Sequence, residues 1–223
     1  EIFTRDDEGL LQAFSSIAAI SLENALAYET INATMHTFEK FVPRRYLNSI
    51  AREGLESIRI GNAEKVDVSI LFCDIRGFTT LSEKMKPEDV LAFLNGYLVR
   101  MGNPIAKNGG FVDKFIGDAI MAIFDTRDPS SAVRAGVGML KELESYNRER
   151  RKNKLDEIKI GIGIHFGAAV LGTVGSEDRM DSTIIGDSVN LAARMEGLTK
   201  QYGCSLMITE DAASRLKKGS FKL

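Results

Sequence analysis

Two aspartates stand where strands should end, and both are of the kind that holds a hard cation. The first closes the run Val68-Ser-Ile-Leu-Phe-Cys-Asp74, which continues through Ile75 and Arg76 to a single glycine, Gly77, and a helical pattern opening at Phe78-Thr79. An apolar, β-branched run of this kind predicts a buried strand that delivers the Asp74 carboxylate to the mouth of a sheet. Gly77 lets the backbone come close to a ligand, and the amides that open the next helix, with the Thr79 hydroxyl, are aimed where a phosphate is welcome. The second aspartate lies in Gly110-Phe-Val-Asp-Lys-Phe-Ile-Gly-Asp118-Ala-Ile-Met-Ala-Ile-Phe124, where two β-rich runs flank Gly117-Asp118 and predict a tight hairpin. Taken alone, either aspartate reads equally well as a turn or capping residue. Together, two carboxylates on neighbouring strand ends can hold a pair of divalent cations that bridge to substrate phosphates, so metal-assisted phosphoryl chemistry is the leading reading.

A third group lies in Ser182-Thr-Ile-Ile-Gly-Asp-Ser-Val-Asn-Leu-Ala-Ala-Arg-Met195. Gly186-Asp187 opens a helix on which Asn190 and Arg194, four apart, share a face, and Thr183 lies just before it. An amide and a guanidinium so placed suit orienting a sugar and neutralising charge on a transferring phosphoryl group. By itself, this pair reads as ordinary helix surface.

The elements that must position these residues follow in chain order. The first 40 or so residues are helical in pattern. Leu10, Ile17, Asn24, Ile31 and Phe38 fall on one seam position, and Ala13, Ile20, Ala27, Thr34 and Phe41 on the other. This seven-residue repeat predicts a parallel two-stranded coiled coil, with Asn24 as a register-fixing amide. Pro43, in Phe41-Val-Pro-Arg-Arg-Tyr-Leu47, breaks that helix, a short helix runs to about Glu53, and Ser57 to Lys65 is a polar connector. From Val66 a compact domain begins with its first strand. Helices are expected over Pro87 to Asn108 and Asp128 to Lys154, the latter ending in a solvated Arg148-Glu-Arg-Arg-Lys152 tail. Ile158 to His165 alternates like a strand, and Gly167 to Val174 is expected to return as its partner, with His165 a structural histidine. The order argues for an α+β domain: a ferredoxin-like, palm-related antiparallel sheet with helices on one face, preceded by the coiled-coil helix. The domain reading is 1–40 for the signalling helix, 41–65 for the linker and 66–223 for the compact domain.

Composition narrows the classes. The 223 residues carry 29 basic and 31 acidic side chains with no basic stripe, which excludes a nucleic-acid backbone as the expected partner. Two isolated cysteines, Cys73 and Cys204, point to a reducing compartment such as the cytoplasm and to no disulfide framework. No apolar run approaches the roughly 20 residues of a membrane span, and no signal peptide is visible. The chain begins at Glu1 and reads as a fragment.

Phe72-Cys-Asp-Ile-Arg-Gly-Phe-Thr79, Val112-Asp-Lys-Phe-Ile-Gly-Asp118-Ala-Ile-Met-Ala, Gly163-Ile-His-Phe-Gly167 and Ile185-Gly-Asp-Ser-Val-Asn190-Leu-Ala-Ala-Arg194 together resemble the class III nucleotide cyclases, the adenylyl and guanylyl cyclase family. Phe41-Val-Pro-Arg resembles the transducing element that precedes such domains, and Phe3 to Glu29 resembles the closing helix of a GAF-type sensor. The resemblance implies a head-to-tail homodimer with its sites between protomers, regulated from an upstream sensor. Asp74 and Asp118, with the Ile75 carbonyl, would hold two Mg²⁺ or Mn²⁺ ions per site, and Gly77, Phe78 and Thr79 would cradle the triphosphate of ATP. From the other protomer, Asn190 would position the ribose and Arg194 would stabilise the transition state as the 3′-hydroxyl attacks the α-phosphorus, giving cyclic AMP and pyrophosphate. Lys114 and Thr183 would read the base. A lysine only donates, so it suits the N1 acceptor of adenine and not the N1–H of guanine, for which family guanylyl cyclases place Glu here. One departure is that the family's further lysine, which contacts the terminal phosphates, has no convincing counterpart before Leu223, since Lys217, Lys218 and Lys222 lack its context. The rivals are a noncatalytic dimeric nucleotide-binding module, a guanylyl cyclase, and a palm-type diguanylate cyclase, whose Gly-Gly-acidic-Glu-Phe-like turn is replaced here by Ile116-Gly-Asp-Ala119.

Overall fold

A computed structural model of the chain describes residues 4–38, 61, 63–176, 178–216 and 221. The transducing run Phe41 to Leu47, the short helix after it and the three C-terminal lysines lie outside the described residues. The chain divides into two units, Glu1–Arg44 and Arg45–Leu223.

In the first unit a single helix, α1, spans Arg5–Phe38, about 50 Å at 1.5 Å per residue. Its start is capped reciprocally: the Thr4 amide donates to Asp7 Oδ2 at 2.8 Å and the Asp7 amide to Thr4 Oγ1 at 3.3 Å. The Thr4 amide and the Thr4 hydroxyl, both donating to Asp7 Oδ2, hold that carboxyl below its ordinary value. The described seam residues are all exposed, Leu10, Ile17, Ile20 and Ile31 each by more than half. The apolar stripe of the helix is thus solvent-facing along its described length. By length and composition α1 could also cross a membrane, which corrects the reading that no stretch qualified. That reading counted uninterrupted runs, whereas over a whole helix Gln12, Glu23 and Asn24 are diluted by their apolar neighbours.

The second unit is built on a six-stranded sheet. Its strands are β1 (Ala63–Ile75), β2 (Phe111–Ile116), β3 (Ala119–Phe124), β4 (Ile160–Ser176), β5 (Arg179–Ile185) and β6 (Leu206–Ile208). They run in the order β2-β3-β1-β4-β5, with β6 beside β4. All pairings are antiparallel except β4 with β6, so the α+β, palm-like expectation holds. The helices are α2 (Phe78–Ser82), α3 (Pro87–Lys107), α4 (Ser130–Lys152), α5 (Asp187–Gln201) and α6 (Glu210–Ser214).

Three expectations are corrected. Gly167 does not turn the chain back: β4 is one strand through Ser176, pairing with β1 from Ile75↔Ile160 to Ala63↔Gly172. Gly167 is needed for space, because a Cβ there would lie 2.6 Å from both His165 Nε2 and Ser188 Oγ. The long partner also draws Ala63, Glu64 and Lys65 into β1, where a connector was expected. In the basic tail of α4, Arg150 is buried rather than solvated, its Nε donating to the Asp156 carbonyl at 2.6 Å and its guanidinium 5.0 Å from the centre of the Phe93 ring.

The core lies on one face of the sheet. Leu71, Cys73 and Ile75 of β1, Ile120, Ala122 and Phe124 of β3, and Ile160, Ile162 and Ile164 of β4 pack there against α3 and α4, through Tyr97, Met101, Ile105, Val133 and Met139. The alternate residues of β1 and β4, Ile70 with His165, Phe72 with Gly163 and Asp74 with Gly161, form the other face. There α5 sits almost on the strands: a Cβ on Gly163 would lie 2.1 Å from the Glu196 amide nitrogen.

Candidate functional site

Asp74 is the penultimate residue of β1, and its side chain points to the face away from the core. The Gly117-Asp118 turn joins β2 to β3 between the paired residues Ile116 and Ala119. Gly117 has φ +64° and Asp118 a negative φ, the pattern of a type II′ hairpin with glycine first. Since Cys73 pairs with Ile120, this turn overhangs the end of β1. The two carboxylates meet there within hydrogen-bonding range. The Ile75 amide donates to Asp118 Oδ2 at 3.2 Å, which fixes the second carboxylate against the backbone that follows the first.

This pair is electrostatically uncomfortable as it stands. The Asp118 carboxyl is pushed up to about 7, chiefly by burial and then by hydrogen bonding to and repulsion from Asp74; the Ile75 amide pulls the other way. Two carboxylates that crowd each other in this way form a donor set a divalent cation fits, because the ion would relieve the repulsion between them. No group of three or more His, Cys, Asp or Glu side chains that could hold an ion occurs among the described residues. An ion held by Asp74 and Asp118 would keep coordination positions for water and substrate oxygens, as Mg²⁺ prefers.

Gly77, at φ +69°, turns the chain from Arg76 into α2. The first backbone bond into that helix is from the Leu81 amide to the Gly77 carbonyl at 3.1 Å, so the amides of Phe78, Thr79 and Thr80 precede the ladder. The Phe78 side chain packs on the core, its ring stacked 6.3 Å from that of Phe93. At Phe78, then, only the backbone can serve a ligand.

Lys114 and Thr183 come together although β2 and β5 are the two ends of the strand order. Lys114 Nζ lies 3.4 Å from Asp181 Oδ2 and 3.7 Å from Asp113 Oδ2, and Thr183 Oγ1 donates to Asp113 Oδ2 at 3.3 Å. Asn190 and Arg194 are both exposed on α5, and no hydrogen bond or ion pair to either is found among the described residues. Ala192, Glu196 and Thr199 form the opposite side of that helix, against β4 and Arg76. The structure therefore gathers the predicted residues into groups: Asp74, Ile75 and Asp118 with Gly77 to Thr79 alongside; Lys114 with Thr183; and Asn190 with Arg194.

Several neighbours were not singled out from sequence. Arg76 donates to Glu196 Oε1 at 3.0 Å and also bonds the Thr199 hydroxyl, tying the end of β1 to α5. Burial raises the Glu196 carboxyl despite Arg76, and Asp74 adds to the rise. Beneath Asp74, Cys73 Sγ is 3.4 Å from the Tyr97 hydroxyl, and burial pushes its thiol up to about 12, so it stays protonated. The signal for Arg76 and Asp113 was adjacency to Asp74 and Lys114, but nothing in the sequence names their partners. His165 bonds Thr209 Oγ1 through Nδ1 at 2.9 Å and burial lowers its basicity, which fits the structural role expected of it.

A family model described as the adenylate and guanylate cyclase catalytic domain matches residues 61–223. The chain is 46% identical over 221 residues to an adenylate cyclase of Anabaena cylindrica, an alignment covering 97% of this chain and 44% of that one. It thus spans less than half the length of that relative. A bacterial light-regulated adenylyl cyclase of known structure is similar at TM-score 0.75 and 30% identity, over 93% of this chain and 58% of that one. A guanylyl cyclase of known structure is similar at TM-score 0.62 and 32% identity, over 72% of this chain and 82% of that one.

Proposed function

The chain belongs to the adenylate and guanylate cyclase catalytic-domain family, and from that premise we propose that it converts ATP to 3′,5′-cyclic AMP and pyrophosphate at sites shared by two copies of itself. The observation that carries this reading is the meeting of Asp74 and Asp118 at the end of β1. Both carboxylates and the Ile75 carbonyl would hold two Mg²⁺ or Mn²⁺ ions there, which would supply Lewis acidity to the reaction. The amides of Gly77, Phe78 and Thr79 receive phosphate oxygens beside them. From the second copy, Lys114 donates to adenine N1 and Thr183 faces the 6-position. Asn190 orients the ribose and Arg194 meets charge developing on the α-phosphoryl group.

The exposure of Asn190 and Arg194 on the side of α5 turned from the sheet supports a site completed by a second copy. So does the bare apolar stripe of α1, which fits a parallel coiled coil better than a bilayer, because Glu23 and Asn24 would lie near its middle. An upstream sensor acting through α1 belongs to the same proposal, as does a cytoplasmic setting, where Cys73 and Cys204 stay free. Likeness to both adenylyl and guanylyl cyclases leaves base choice to particular residues, and Lys114 favours adenine. The test is product identification from ATP and from GTP with Mn²⁺ and with Mg²⁺. Cyclic AMP is the expected product; cyclic GMP alone would reverse the base assignment, and no cyclic product from a nucleotide-bound dimer would favour the noncatalytic module.

A further inference from the structure

We propose that Asp113 is a specificity-determining positioning residue: its buried carboxylate takes the proton of the Thr183 hydroxyl as a hydrogen bond and so presents that oxygen to the nucleotide base as an acceptor only. The proposal rests on the cyclase reading above and deepens it. Asp113 lies on β2, its side chain has no exposed surface, and its Oδ2 is 3.3 Å from Thr183 Oγ1 on β5 and 3.7 Å from Lys114 Nζ. Thr183 is itself only 9% exposed. An ionised carboxylate has no proton to give, so in this pair the hydroxyl must be the donor, and its single proton is committed to Asp113.

The consequence is chemical. With its proton turned inward, Thr183 offers only lone pairs to whatever lies against it. Adenine presents an amino group at position 6, a donor that such an oxygen accepts. Guanine presents a carbonyl oxygen there, which would face the Thr183 lone pairs with no proton between them. Lys114 supplies the complementary half of the code, three N–H donors and no acceptor, and is flanked by Asp181 at 3.4 Å as well as by Asp113. Thus one buried carboxylate sets the polarity of a group that would otherwise rotate to suit either base. A threonine hydroxyl alone discriminates poorly for that reason, and rejection is stronger where a site leaves the wrong base with an unpaired polar group.

The test measures binding of 3′-deoxy-ATP and 3′-deoxy-GTP, which cannot cyclise, to this chain in the presence of Mn²⁺, by calorimetry. Asp113→Ala is expected to narrow the ratio of the two dissociation constants by roughly ten-fold, through improved relative affinity for the guanine nucleotide. Asp113→Leu fills the same buried space and gives the same reading if the alanine variant does not fold. In a Thr183→Val background, where no hydroxyl remains to be oriented, the Asp113 substitutions are expected to leave the ratio where Thr183→Val alone puts it. Narrowing in the parent and not in the valine background supports the assignment. An unchanged ratio, or equal narrowing in both backgrounds, overturns it while leaving the cyclase reading standing. Failure of the parent chain to bind either nucleotide overturns the cyclase reading, and the assignment with it.

Discussion

Asp74 and Asp118 are held in contact by a hairpin turn and one backbone amide, and the strain between them is what a cation would relieve. Because the Asp118 carboxyl rises from 3.8 to about 7, the folded, metal-free chain binds more protons than the unfolded one between those values. That contribution to stability is complete below the lower value and lost as pH rises through the upper one. Metal-free protein should accordingly lose resistance to urea between about pH 4 and 7, and Asp118→Asn should flatten that part of the profile. Binding of Mn²⁺ near pH 6 should release protons and near pH 8.5 should not, which calorimetry in buffers of different ionisation enthalpy would detect. Asp74→Ala should abolish cyclisation; turnover equal to that of the parent would remove the two-metal assignment. At the base-reading group, Lys114→Glu should weaken the preference for ATP over GTP by about ten-fold, since it exchanges donors for an acceptor at purine N1. These residues could be nominated from the sequence, because strand-end carboxylates, a lone glycine and an i, i+4 pair each carry local chemistry. Asp113 and Arg76 were not, because their partners lie 70 and 120 residues away.

The elements impose their own constraints, and the tightest is the seat of α5 on β4. Gly163 opposes Phe72 in the ladder and leaves no room for a side chain beneath the Glu196 amide. Gly163→Ala should therefore lift α5 and cost about 2 kcal/mol, readable as a lower urea midpoint with an unchanged slope. The Arg76 link to Glu196 and Thr199 crosses the same interface, with side chains 22% and 15% exposed for the ion pair. Arg76→Leu should cost a further 1–2 kcal/mol or so, a surface-screened value rather than a fully buried one. This interface explains one misjudged element. An isolated glycine amid alternating apolar residues reads as a turn, and only the helix packed above Gly167 and Gly163 reveals that the glycines serve clearance within one long strand. Helices α3 and α4, by contrast, were legible nearly to their ends, since Pro87, Pro129 and the Asn108-Gly109-Gly110 stop are local signals, whereas the short α6 was not expected.

For the whole molecule, the decisive expectation is that no single copy contains a complete site. Asp74→Ala and Arg194→Ala proteins should each be inactive, yet mixing them should restore activity to about a quarter of the parent's, because half the dimers are mixed and each of those has one intact site of two. No recovery on mixing, with dimers present, would place both half-sites in one chain. Removing residues 1–38 should make activity depend steeply on protein concentration, as expected if α1 supplies the association. The sequence by itself determined that strands and helices would alternate in an α+β order, and it named the candidates for binding cations, phosphate, sugar and base. Those properties follow from residue type and short spacing. Tertiary structure alone decided that the Gly117-Asp118 turn overhangs Asp74, that strands at opposite ends of the sheet order bring Lys114 and Thr183 to one buried carboxylate, and that Asn190 and Arg194 face outward. Each of these depends on register and on helix-to-sheet clearance, which are set by contacts between residues far apart in the chain.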